Sequence, residues 1–117
     1  MTLAERIEEL IEEIDLDGAL EMIEIFLFDP KYGIDERLKN LQVSLDNKDW
    51  TSLSTEVHAL KGSSSNFEAK EVIELCSLLD QYAREEEFEK AVKTFDLLKS
   101  ALKMLGMELK QIKQKYV

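Results

Sequence analysis

Several residue types are scarce in this sequence, and each scarcity excludes a class of protein. Only one cysteine is present, Cys76, so no disulfide can form within the chain. One histidine and one cysteine do not supply the ligands of a zinc site. One proline and four glycines are too few for a fold of short strands joined by turns. We therefore expect long helices and a single all-α domain over residues 1–117.

Long apolar runs and excess positive charge are also missing. No apolar stretch approaches the roughly 20 residues needed to cross a bilayer, and the first residues, MTLAERIEEL, lack the cationic and apolar segments of a signal peptide. We expect a cytoplasmic protein, present also in the nucleus if the source is eukaryotic. The formal net charge of −10 should repel nucleic acids and anionic membrane surfaces.

The apolar residues recur at helical spacing and predict an antiparallel bundle. Thr2 and Glu5 form a capping-box pattern at the start of a first helix. Asp17 is a candidate N-cap for a second helix that Pro30 ends, and Asp49 is a candidate N-cap for a fourth. We expect residues 1–33 to form N-terminal helices that partly cover the bundle, and residues 34–117 to form the bundle itself.

The second helix is apolar on nearly all sides, which leaves two interpretations open. Leu20, Ile23 and Leu27 form one apolar stripe, which is enough for packing against a single neighbour. Met22, Ile25 and Phe28 form a second apolar stripe. Either the first helix covers this stripe, or the stripe is a docking surface for a partner.

The chemistry of the chain concentrates in EVHALKGSSSNFEAK, which holds the only histidine. His58, Lys61, Gly62 and Ser65 are spaced to share one face of a helix. An apolar set occupies the other side and should face the core, which turns the imidazole toward solvent: Leu53, Val57, Leu60, Ser64 and Phe67.

An exposed imidazole beside an amine and a glycine is suited to nucleophilic chemistry with a partner. Neutral imidazole is a nucleophile near neutral pH, since its ordinary pKa is about 6.5. Lys61 could neutralise a phosphoryl group on His58, and Ser65 could add a hydrogen bond. Gly62 would leave room for a partner, at a helix cost of about 1 kcal/mol relative to alanine. Spacing alone does not exclude the plainer interpretation of a surface histidine beside a glycine that allows close helix packing.

The segment HALKGSSSNFEA resembles the motif of histidine-containing phosphotransfer (HPt) domains, H-x-L-K-G-S-S followed shortly by G-A. The resemblance extends over roughly residues 17–113 and is nearest to free-standing yeast- and plant-type members. It implies an antiparallel four-helix bundle of the HPt type with additional short N-terminal helices.

The resemblance also implies roles for individual residues. His58 would carry the phosphoryl group, Lys61 would stabilise it, Gly62 would provide clearance for a receiver domain, and Ser65 would be a weaker polar neighbour. Glu68 stands where the pattern usually has glycine, so Asn66 is expected to adopt the left-handed conformation that ends the helix. In some members a polar or basic side chain of the following helix also reaches the phosphorylation site, and the candidates here are Asp80, Gln81 and Arg84. Asp80 and Arg84 are left out of the expected site, because an exposed ion pair between residues four apart explains them at least as well.

By the same resemblance, the partners would be response-regulator receiver domains and a hybrid sensor histidine kinase. The chain would be a monomeric phosphotransfer intermediate of a multistep two-component phosphorelay, and not an autonomous kinase. It would bind no cofactor or metal itself, because the receiver domain supplies Mg²⁺. The alternative is a phosphorylation-independent helical adaptor that binds receivers through the second helix; retention of His58, Lys61 and Gly62 argues against it.

Overall fold

Helical periodicity accounts for every secondary-structure element in the computed structural model, which describes residues 1–117. The chain forms six α-helices and no strand, which confirms the predicted all-α class. None of these helices is long and apolar enough to cross a membrane. The six helices are α1 (Leu3–Glu13), α2 (Leu16–Phe28), α3 (Ile34–Asp46), α4 (Trp50–Ser65), α5 (Lys70–Arg84) and α6 (Phe88–Gln114).

Three of the helices begin at an N-cap residue whose polar side chain accepts a backbone hydrogen bond. Thr2 and Glu5 form the predicted capping box of α1, and the Asp49 carboxylate accepts from Ser52 N at 3.2 Å at the start of α4. The predicted cap of α2 was wrong by two residues. Asp15 is the N-cap, and its carboxylate accepts a hydrogen bond from Gly18 N at 2.6 Å. Asp17 lies in the first turn of α2, where the positive end of the helix dipole stabilises its negative charge.

The helices α3 to α6 form a four-helix bundle in which each helix packs against two others. Links of three or four residues join them in sequence, so successive helices run antiparallel. Helix α2 packs against α3 and α6, and α1 packs against α2 and α6. The core is one continuous cluster of buried side chains to which all six helices contribute.

Each of the three turns within the bundle contains a residue with left-handed backbone that is not glycine. Lys48, Glu68 and Glu86 have φ of 51°, 51° and 55°. In the turn after α4, Ala69 N donates to Ser64 O and Glu68 N donates to Ser65 O, which is the Schellman arrangement. The prediction for Asn66 was wrong, because Asn66 stays right-handed with φ of −58°. Glu68 therefore adopts the conformation that a glycine would adopt with less strain.

Replacing Glu68 by glycine should raise the free energy of unfolding by about 1 kcal/mol, because the left-handed backbone is strained for residues with a Cβ. Chemical denaturation of wild type and Glu68→Gly measures this. Glu74→Gly is the matched control, since Glu74 is an exposed residue inside α5 and the same substitution there should cost about 1 kcal/mol. Equal losses in both variants would contradict the strain at Glu68.

Candidate functional site

Helix α4 presents His58 to solvent because the residues on its opposite side are buried in the core. Leu53, Val57 and Leu60 are buried, as are Ser64 and, just beyond the helix, Phe67. The imidazole of His58 is 54% exposed. A partner can therefore reach this ring without any movement of the bundle.

Helix α5 brings a carboxylate and a guanidinium to the same ring. Asp80 Oδ2 lies 3.3 Å from His58 Nε2 and 3.1 Å from Arg84 Nε. The other oxygen of Asp80 accepts a hydrogen bond from the hydroxyl of Ser54, one turn before His58 on α4. Arg84 Nη2 lies 3.5 Å from His58 Nε2, at the limit of a hydrogen bond. Four side chains from two helices thus form one connected polar cluster.

This cluster surrounds one side of the imidazole with charged groups. Asp80 Oδ2 faces Nε2 as an acceptor, whereas Arg84 Nη2 can only donate to that nitrogen, so the two contacts favour opposite tautomers of the ring. The side chain of Asp80 is only 14% exposed, and Arg84 balances its charge. One side of the ring therefore contacts α5 while the rest of the ring stays open to solvent.

Lys61 and Gly62 lie one turn beyond His58 on α4. Lys61 is partly buried and has no carboxylate within 4 Å, so its ammonium is free to pair with an incoming anion. A Cβ placed on Gly62 would meet no atom within 4 Å. Packing inside the chain therefore does not require this glycine, which removes the plainer interpretation of a glycine needed for close helix packing.

The three serines of the motif differ in their surroundings. Ser65 Oγ donates to Lys61 O at 2.8 Å, and Ser65 lies seven residues, or about 10 Å along the helix axis, from His58. Ser63 Oγ donates to Ala59 O at 2.9 Å in the same way. Ser64 is fully buried and its hydroxyl has no hydrogen-bond partner. The structure thus does not bring Ser65 into contact with the imidazole, and its predicted role stays a prediction.

The apolar stripe of α2 does not form one surface. Met22 and Ile25 line a groove of about 250 Å³ together with Tyr32 and Ser63, which we call the Ile25 groove. Phe28 lies apart from it, in another groove, with the ammonium groups of Lys110 and Lys113 within 6 Å of its ring centroid. Helix α1 does not bury the stripe, because Ile25 remains 43% exposed and Phe28 52% exposed.

A second cavity, of about 420 Å³, lies directly beside His58. Hydroxyl groups of Thr51, Ser54 and Thr55 line it from α4, and Arg84 lines it from α5. No group of three or more His, Cys, Asp or Glu side chains is placed to hold a metal ion. The cavity therefore offers hydroxyl groups and one guanidinium to an anion attached to the imidazole, and Glu86 adds one carboxylate to its lining.

Cys76 is a buried residue of α5 and belongs to the core of the bundle. Burial raises the pKa of its thiol to about 12, and the Lys61 ammonium acts in the opposite direction. The thiol is therefore protonated and shielded at neutral pH, so it does not compete with His58 as a nucleophile.

Sequence reasoning missed part of this cluster. Asp80 and Arg84 were candidates, but their spacing also fits an isolated ion pair, and only the register of α5 against α4 shows that they reach His58. Ser54 was not considered at all. Its spacing of four residues from His58 was the available signal, since residues four apart share a helix face.

A protein-family model described as Hpt domain matches residues 33–112, which span α3, α4, α5 and most of α6. Comparisons with curated proteins and with solved structures gave no significant match.

Replacing Gly62 by alanine should raise the free energy of unfolding by about 1 kcal/mol, because the new methyl group meets open space and alanine favours the helix. Thermal or chemical denaturation measures the change. The reciprocal control is Ala59→Gly, an exposed position of the same helix, which should lose about the same amount. A loss of stability in Gly62→Ala would mean that the fold itself needs this glycine.

Proposed function

This chain belongs to the Hpt domain family, which performs histidine phosphotransfer in phosphorelays, and we propose that its His58 accepts a phosphoryl group from a receiver aspartate and passes it to another. The observation that carries this assignment to His58 is its exposed imidazole beside a glycine that no contact within the chain requires. Both features are useful only to a molecule that approaches from outside.

The transfer needs few groups from this chain. The unprotonated ring nitrogen attacks phosphorus, an N–P bond forms as the O–P bond of the aspartyl phosphate breaks, and the electron pair of that bond returns to the receiver carboxylate. The second transfer runs in the opposite sense, onto the aspartate of another receiver. Arg84 Nη2 lies 3.5 Å from His58 Nε2, and Lys61 follows His58 by one helical turn, so both cations can help to neutralise the transferring group.

The partners in this proposal are receiver domains, including one belonging to a hybrid sensor histidine kinase. Hpt domains interact with receiver domains of phosphorelays, and the receiver would bring the Mg²⁺ that the transfer uses. This chain would act as a relay that binds no cofactor of its own. A monomeric state, a cytoplasmic or nuclear location and a likeness to free-standing yeast- and plant-type members belong to the same proposal.

Receiver docking would use the Ile25 groove as well as the face around His58. The groove places exposed apolar side chains of α2 and the link after it next to Ser63, which adjoins Gly62 on α4. Ile25 and Tyr32 together offer an apolar and an aromatic contact, the residue types that carry binding energy at interfaces. Phe28, predicted as a third contact, lines a separate groove, so we propose it only for the edge of this surface.

Incubation with a phosphorylated receiver and Mg²⁺ should place one acid-labile, alkali-stable phosphate on the wild-type chain. His58→Gln should receive none, since the chain has no second imidazole. Circular dichroism of the variant should be unchanged, because His58 lies on the surface. Labelling of His58→Gln would overturn the assignment, and receiver binding without labelling of the wild type would favour a phosphorylation-independent adaptor.

Ile25→Asp should weaken receiver binding at least about tenfold, because it places a charge in an apolar contact. Titration calorimetry with the receiver measures the dissociation constant. Leu97→Asp is the matched control: Leu97 is exposed on α6 and does not line the groove, so binding should change less than twofold. Equal effects of the two substitutions would contradict docking at the groove.

A further inference from the structure

Asp80 is an unusual neighbour for a residue that is to carry a phosphoryl group. Its carboxylate is anionic, lies 3.3 Å from His58 Nε2 and is only 14% exposed. Ser54 from α4 and Arg84 from its own helix both hold it in place. Because these two groups fix its position, the carboxylate cannot simply turn away from the imidazole when the imidazole is modified.

The carboxylate favours the unmodified ring over the phosphorylated ring. In the unmodified state its Oδ2 lies 3.3 Å from Nε2, where its negative charge attracts a ring N–H. A phosphoryl group adds a charge approaching −2. Whichever ring nitrogen carries this group, at most the width of the imidazole ring separates that nitrogen from the Asp80 contact. On Nε2 the phosphoryl group would lie directly against the carboxylate. Like charges at such distances repel even in a partly solvated site.

Asp80 also competes for the cation that the phosphoryl group needs. Arg84 Nε is 3.1 Å from Asp80 Oδ2, while Arg84 Nη2 is 3.5 Å from the ring nitrogen. One guanidinium therefore serves two anions once His58 is phosphorylated. Lys61 has no such competitor, since no carboxylate lies within 4 Å of it.

We propose that Asp80 is a positioning residue that raises the free energy of phosphorylated His58 relative to the unmodified ring, and so favours delivery of the phosphoryl group to the next receiver. This inference rests on the proposed function, because it concerns the equilibrium of that transfer. The same contact, together with Arg84, restrains the ring on the side of α5, while the charge of Asp80 limits how much phosphoryl group the chain retains.

The test is the equilibrium between a phosphorylated receiver and His58, measured as the ratio of the two phosphorylated proteins. Asp80→Asn keeps the shape of the side chain and removes its charge. The ratio should shift toward phosphorylated His58 by roughly tenfold, an estimate from the repulsion of close charges in a partly solvated site. Asp96→Asn removes the same charge from an exposed position on α6, so it should shift the ratio less than twofold.

Two further variants separate charge from structure. Ser54→Ala keeps the charge of Asp80 but releases its carboxylate, so a smaller shift in the same direction is expected. With Arg84→Gln as the background, Asp80→Asn should produce a smaller shift than in wild type, because no shared cation is left to release. A merely structural tie between α4 and α5 would change unfolding midpoints but leave the ratio unchanged.

The outcomes are distinguishable. An unchanged ratio in Asp80→Asn, or a shift toward the receiver, overturns the role of Asp80 while labelling of the wild type still supports the relay. Absence of label on both the wild type and Asp80→Asn overturns the proposed function and this inference with it. If Asp80→Asn does not fold, an unchanged ratio in Ser54→Ala overturns the inference.

Discussion

The packing of α4 against α5 is the constraint on which the site depends. Leu53, Val57 and Leu60 of α4 are buried in the core, as are Val72, Cys76 and Leu79 of α5. This burial fixes both the rotation of α4 and its register along α5. His58 consequently faces solvent, and Asp80 reaches its Nε2. A rotation of α4 by one residue would bury polar groups and remove the contact.

The imidazole has an open side, which is exposed to solvent, and a held side, which contacts α5. On the open side, which we propose faces the receiver, Gly62 adds no side chain and the imidazole is more than half exposed. The held side faces α5, where the carboxylate and guanidinium orient the ring. An intermediate in a relay must accept and release the same group, so strong stabilisation of the phosphorylated state would work against its function. A carboxylate next to the ring, balanced by nearby cations, fits that requirement.

Much of this architecture could be predicted from local sequence patterns. Apolar spacing identified the helices and the outward face of α4, because helical periodicity is set within one segment. The turns were harder, since Glu68 is not a residue that favours left-handed backbone and the structure tolerates its strain. The contacts of His58 with Asp80 and Arg84 depend on the register between two helices, which no pattern within either helix specifies. The separation of Phe28 from Ile25 likewise depends on how α2 packs against its neighbours.

The most direct test of the account is a chase experiment on the loaded protein. The chain is phosphorylated by one receiver, purified from it, and mixed with a second, unphosphorylated receiver and Mg²⁺ while labelled phosphate on both proteins is followed. The account predicts that acid-labile phosphate leaves His58 as aspartyl phosphate appears on the second receiver. Label that never loads, or that leaves the chain only as inorganic phosphate with every receiver tested, would contradict a relay through His58.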